Sequence, residues 1–482
     1  MNKSQKILKK LKKNKNTILV AILLFLAIFV RFWKMEFIPY ESDGDELAYV
    51  FAGLSMIDHG IPTSWSSFGY HYPEENNYGE FEMGDELHRN QETYSFVRPW
   101  FDHPFLLPVI VGWTSKLFAY NFPSAPPAII IRLPILFLSA LSLTFLYLIS
   151  KKLFGFKSAL FTLIIVAFSP AIILGQRMVV GENLYLPFIL IAIYLLLISK
   201  KIRLLPLILL TLVAVLSKTT GALILIIISL HFLIHKDYKK MFKYIIASLI
   251  SIASVFILYA AVHDWSLFLT VIQKQSFRLL GWANPSFVLS NPGFLNFVLL
   301  DASYYLILIL GAVAIFLMGD SKQDKFLKLS VLASLIMIWA TSAEQDMLGW
   351  YKLPFFLLLA ILMGKTFKVA NRTVLNSLLF ITVINNLGLV RFPDHPFPST
   401  QTLRLVVSSI FLIILIFSLV KNSARKIFLQ NFLTMALLAI YVVSSFYFVN
   451  KYFEASCKDR FCKLPMMTSK QLIKGLLKIK EK

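Results

Sequence analysis

Apolar residues in this chain run continuously for roughly 16–24 positions at a time, with short polar stretches between them. Runs of that length, with no alternation of period two, predict membrane-spanning helices rather than the strands of a closed barrel. The first such run is Thr17–Phe32. Others follow at 128–150, 158–175, 183–199, 204–219, 221–235, 242–262, 302–319, 326–342, 353–370, 373–390, 405–420 and 427–449, so about thirteen spanning helices are expected. The long interval 38–127 leaves the pattern and reads as a first outer loop. Within it Phe105–Tyr120 is apolar but interrupted by Trp113 and Lys116, which suits a helix lying at the interface. A second large outer loop is expected at 263–301, and the tail 450–482 is expected outside as well. The whole chain, 1–482, reads as one all-α polytopic membrane domain.

Composition agrees. Of 482 residues, 57% are hydrophobic and only 15% charged, and the mean hydropathy of +0.70 leaves too little polar surface for a soluble protein of this size. The net charge of +22 changes the picture only through its distribution. Lysines crowd positions 3–15, ahead of the first run, and basic clusters recur near 151–157, 200–203, 236–243, 322–328, 365–372 and 421–426. They mark every second turn, as positive-inside loops do, and form no continuous basic stripe that would suit nucleic acid. Residues 1–16 are therefore expected in the cytoplasm, and no signal-peptide cleavage site follows the first run. Between Glu41 and Glu92 acids dominate and Arg89 is the one strong base, which puts that loop on the other side of the membrane. Two cysteines, Cys457 and Cys462, lie in the outer tail, where a disulfide and two free thiols are both open.

Polar residues gathered on one side of a membrane protein are candidates for chemistry. Asp43, Asp45 and Glu46 follow the first run; they suit a general base or a metal ligand, and equally the capped start of a helix. Asp102-His103-Pro104 reads either as a helix start or as a binding site at His103. Arg132, Arg177, Lys218 and Lys352 sit at outer ends of runs, against the positive-inside bias. Snorkelling accounts for any one of them, and an anionic lipid head group for all four together.

These motifs, in this order, resemble the GT-C superfamily of glycosyltransferases, in the branch of the protein O-mannosyltransferases and the lipid A aminoarabinose transferase. The resemblance rests on Asp45-Glu46 with Tyr49 and His59-Gly60, then Asp102-His103-Pro104, where Phe105 replaces the family's second proline. It continues through Arg132-Leu133-Pro134, Lys151–Gly155, Ser169-Pro170, Gln176-Arg177 with Glu182, and Ser217–Gly221. Trp350–Pro354, with Tyr351 and Lys352, is similar to a family run in altered order. The large soluble module that eukaryotic protein mannosyltransferases carry in an outer loop is missing.

The family implies a polyprenyl- or dolichyl-phosphate sugar donor and an inverting transfer to an extracytoplasmic acceptor, with no firm cofactor and a possible divalent metal. It implies Asp45 as base, with Glu46 orienting the acceptor or holding the metal. His103, Arg132, Arg177, Glu182, Lys218, Tyr351 and Lys352 would bind substrate, and the Phe-rich helices would form a groove for the isoprenoid tail. A transporter or flippase, and a ligase of preassembled glycans on the same fold, are the alternatives. A transporter predicts matching inverted halves with broken helices at the midplane, and no such halves are legible.

Overall fold

The computed structural model of the chain describes residues 3–36, 45–66, 72–83, 92–199, 201–276, 284–290, 294, 301–341, 349–389, 423–456 and a few positions between 404 and 413. The expected run 405–420, apart from those few positions, lies outside them, as do Asp43, Cys457 and Cys462.

Each of the other apolar runs is helical. In chain order the helices are α1 (Lys3–Phe32), α2 (Asp45–His59), α3 (Leu106–Leu117), α4 (Ala128–Phe154), α5 (Phe156–Ala167), α6 (Pro170–Gly175), α7 (Gly181–Ile198), α8 (Leu204–Ser217), α9 (Leu223–Ile234) and α10 (Tyr238–His263). They continue with α11 (Trp265–Ser276), α12 (Asn284–Ser290), α13 (Ala302–Leu317), α14 (Lys322–Thr341), α15 (Leu353–Val369), α16 (Arg372–Leu389) and α17 (Ser423–Ser456). Among the described residues, five segments are long and apolar enough to cross a membrane: Lys15–Phe32, Ala128–Phe154, Gly181–Ile198, Tyr238–His263 and Ala424–Asn450. The protein is multi-pass.

Local chemistry sets several boundaries. Asp237 caps α10 by accepting the Lys240 N–H (3.2 Å), and Asp301 caps α13 through Ser303 N–H (2.8 Å). Both satisfy donors that the first helical turn leaves open. Ser169 caps α6 with Pro170 at its first position, and this pair splits the expected run 158–175 into α5 and α6. Helix α15 is buried almost all round (Leu353–Gly364 throughout), as expected of a central helix that is apolar on every face.

The expectation of an all-α chain needs correction. The interval between α1 and α4 holds a three-stranded antiparallel sheet in the order β1-β3-β2, with β1 Ser64–Trp65, β2 Asn77–Met83 and β3 Glu92–Val97. Ser64 pairs with Val97 and Phe81 with Tyr94. The segments Glu80-Phe81-Glu82-Met83 and Thr93–Val97 alternate or are β-branched and aromatic, a strand signal too short to stand out beside the long apolar runs.

The loop forms a second core. Leu47, Phe51, Phe96, Trp100 and Leu107 pack together and continue onto Ile131 of α4 and Phe268 of α11. Here α2 and α3 touch backbone to backbone: a Cβ on Gly53 would stand 1.9 Å from the Pro108 carbonyl oxygen, and one on Gly112 would stand 2.5 Å from Gly53 C. The helix expected at 105–120 is present as α3. Its Lys116 bonds Asp58 (2.5 Å) and Asn121, tying it to α2. Burial raises the Asp58 carboxyl, but the bonds from Lys116 and the Phe122 N–H outweigh it and hold the group below the usual carboxylate range.

Candidate active site

Asp45 and Glu46 begin α2, and the structure gives them different surroundings. Glu46 is buried. Its Oε2 accepts from Arg132 Nη2 (2.8 Å), both oxygens accept from Arg132 Nε (3.2 and 3.3 Å), and Oε1 also accepts the Val179 N–H (2.7 Å). The carboxylate thereby joins the outer module to α4 and to the turn ahead of α7. Its oxygens are thus taken up by Arg132 and the Val179 N–H inside the protein.

Arg132 and Arg177 also meet backbone carbonyls. Arg132 Nη1 donates to the Met35 carbonyl (2.7 Å), and Arg177 Nη2 donates to the carbonyls of Val30 and Trp33 (2.6 and 2.8 Å). A third arginine, Arg31, donates to Ala27 and Ala167 carbonyls (3.0 and 2.7 Å) and to Gln176 Oε1 (3.0 Å). All three are buried. They serve the carbonyls at the end of α1, where a helix carries partial negative charge. Sequence reading passed over Arg31. Its signal was a charge inside an otherwise apolar run, which calls for a partner in the bundle.

Lys218, Glu182 and Tyr351 do come together. Lys218 ends α8 in extended conformation (φ −163°, ψ 145°) ahead of a short 3-10 turn, Thr219–Ala222. Its Nζ lies 2.8 Å from Glu182 Oε1 and 4.3 Å from the Tyr351 ring centre. Glu182 opens α7, where the helix dipole also favours a carboxylate. Gly181 makes the approach possible, since a Cβ there would stand 2.7 Å from Lys218 Cβ. One turn on, the Tyr185 hydroxyl accepts from Thr220 Oγ1 (3.3 Å). Glu182, Tyr185, Thr220, Tyr351 and Pro354 line a narrow cleft beside this group. Asp45, at the start of α2, is within electrostatic reach of the Lys218 ammonium.

Lys352, next to Tyr351 in the 3-10 turn Gly349–Lys352, is buried. Its Nζ lies 4.4 Å from the Phe287 ring centre and 5.4 Å from that of Tyr304, and burial pushes its ammonium down to about 7. His103 packs between Tyr49 (5.2 Å) and Trp100 (5.8 Å). The neighbouring Asp102 carboxylate accepts from Ser66 Oγ (2.6 Å) and the Tyr72 hydroxyl (2.8 Å). Tyr72 in turn accepts the Phe101 N–H (2.8 Å), and burial together with Asp102 pushes its phenol well above the usual range. Asp102 thus sets the course of the loop that carries His103. Among the described residues, no three His, Cys, Asp or Glu side chains gather as metal ligands.

Residues 102–265 match the family described as dolichyl-phosphate-mannose-protein mannosyltransferase. No curated protein matches the chain. Among solved structures, ArnT from Cupriavidus metallidurans bound to undecaprenyl phosphate superposes with a TM-score of 0.59 at 13% identity, over 91% of this chain and 78% of that one. Its apo form gives a TM-score of 0.52 at 13% identity, over 92% and 78%. The apo oligosaccharyltransferase of Archaeoglobus fulgidus gives 0.49 at 9% identity, over 94% and 57%. About a third of the chain thus matches the protein mannosyltransferase family model, and the fold as a whole is similar to that of ArnT.

Proposed function

We propose that the protein transfers a single sugar from a polyprenyl-phosphate donor to an acceptor hydroxyl on the outer side of the membrane, with inversion at C1. The observation that carries this reading is the buried Lys218–Glu182–Tyr351 group. A buried lysine whose one carboxylate partner sits 2.8 Å away is a site where an incoming phosphate can replace that partner. The bound undecaprenyl phosphate of the ArnT structure supports the same class of donor here.

In the transfer, the acceptor oxygen attacks C1 of the sugar as the bond from C1 to the phosphate oxygen breaks. The electron pair leaves with the polyprenyl phosphate, and the acceptor proton passes to Asp45. The transition state is oxocarbenium-like, so two demands arise together: a base on the acceptor side and positive charge on the leaving side. Asp45 meets the first. Lys218 meets the second, with Lys352 close in sequence to Tyr351 and held among Phe287 and Tyr304. Glu182 holds the Lys218 ammonium at 2.8 Å until the donor arrives.

The test uses purified protein and a radiolabelled polyprenyl-phosphate monosaccharide. Wild type should release polyprenyl phosphate and label the acceptor. Asp45→Asn should turn over about 100- to 10,000-fold more slowly, the usual contribution of a general base, with donor binding near wild type. Uptake into vesicles without cleavage of the donor would replace this reading with a transporter, and transfer only of preassembled oligosaccharide with a ligase.

A further inference from the structure

Helices α8 and α10 both start at basic segments, Lys200–Arg203 and Lys236–Lys243. Because α9 returns between them, they run parallel, and a hydrogen bond between Thr211 Oγ1 and the Tyr244 hydroxyl (2.5 Å) joins them at the back. In front of that bond lies an open groove of about 610 Å³. Leu204 and Ile208 of α8 form one wall, and Phe242, Ile246 and Ile250 of α10 the other. The three α10 residues are each more than half exposed. Lys239 and Lys243 close the end of the groove where both helices begin.

These lysines are set up for a ligand. Lys240 pairs with Asp237 at 2.6 Å, whereas Lys239 and Lys243 have no ion-pair partner among the described residues. Both are exposed. Four residues apart, they share one helix face with Phe242, Ile246 and Ile250, one turn apart in turn. Cations in the first turns of a helix work against its dipole, so helix stability does not account for them. A positive-inside signal accounts for their charge but not for their register with an apolar groove.

We infer that this groove is a binding site for an anionic phospholipid of the leaflet facing the basic clusters. Its phosphate would meet Lys239 and Lys243, and one acyl chain would lie along the groove. The match is one of charge and shape together: an anionic head at the basic end, and an acyl chain against apolar walls. The site is separate from the Lys218 cluster, which stands at the other end of α8.

The experiment is native mass spectrometry of the full chain in detergent, titrated with phosphatidylglycerol or phosphatidylcholine. Wild type should retain phosphatidylglycerol in preference. Lys239→Ala/Lys243→Ala should bind it about thirtyfold more weakly, as two surface lysines contribute, and Lys322→Ala/Lys325→Ala, in a basic cluster without the groove, should bind as wild type. Ile246→Trp, which fills the groove and keeps both charges, should also lose the lipid, so a misfolded lysine variant would not leave the question open. Equal retention of the two phospholipids would overturn the inference, as would equal losses in the two lysine pairs or displacement of phosphatidylglycerol by polyprenyl phosphate. Since sugar transfer is not the readout, failure here leaves the proposed activity standing.

Discussion

Glu46 and Arg132 offer a direct way to separate architecture from chemistry at the start of α2. The perturbation is Glu46→Gln, which keeps the shape and removes the charge. In the native protein both carboxylate oxygens receive bonds, from Arg132 and from the Val179 N–H, and both side chains are about 2% exposed or less. Burial removes the water that would otherwise hold either charge. Removing one member of such a pair therefore strands the other, at about 3–5 kcal/mol. Glu46→Gln retains some hydrogen bonding, so it should fall near the lower end of that range. Arg132→Met should fall near the upper end, since the Met35 carbonyl also loses its partner. The double variant Glu46→Leu/Arg132→Met strands no charge and should be far less destabilised than the sum of the two, because apolar replacements of a buried pair are often neutral. The assay is denaturant or thermal unfolding in detergent, run beside sugar-transfer turnover at a temperature where every variant is folded. If Glu46→Gln unfolds like wild type yet loses turnover by two orders of magnitude or more, as a missing base would cause, the carboxylate belongs to the chemistry and the positioning role assigned to it is refuted.

Three further outcomes follow from the same geometry. Lys218→Ala should weaken donor binding by about 1.5–3 kcal/mol, the range for a charge-assisted hydrogen bond, and Lys218→Arg should recover part of it; unchanged affinity in a lipid-binding titration would remove Lys218 from the phosphate site. Lys352, with its ammonium at about 7, is charged below that pH and neutral above it, so it must take up a proton to hold a phosphate; donor affinity should fall as pH rises from about 7, by up to about tenfold per pH unit, and Lys352→Arg should flatten that profile. Gly53→Val should destabilise the outer module, because its Cβ would meet the Pro108 carbonyl; hydrogen exchange should show α2 and α3 opening together, with α13 and α15 unaffected.

The long-range order of this protein was legible from hydrophobicity alone. Lipid leaves a backbone no partner but itself, so each apolar run of sufficient length had to be a helix; α1, α4–α10 and α13–α17 fall on expected runs, whereas α2, α11 and α12 lie in intervals read as loops. The residues of the outer cluster could also be nominated, because a charge at the end of an apolar run needs a reason. Three short strands in the first outer loop were not legible. Their signal is local and weak, and their stability comes from packing on α2, α3 and α4, which no window of sequence contains.

Which charges meet was likewise a matter for the tertiary structure. In the sequence Glu46, Glu182, Arg132, Arg177, Lys218 and Lys352 are alike: ionisable residues beside apolar runs. In the fold Arg132 and Arg177 turn toward the carbonyl end of α1, and Glu46 closes on Arg132 across 86 positions of chain. Lys218 meets Glu182 because Gly181 lets two helix ends approach within van der Waals distance, and Tyr351 is brought over it from the second half of the chain. Hydropathy reports how favourably a residue leaves water, a property each residue carries alone, and so the sequence by itself determined most of the helices. A buried charge is stabilised only by the partner it reaches, a property of pairs, and that pairing was decided when the helices packed.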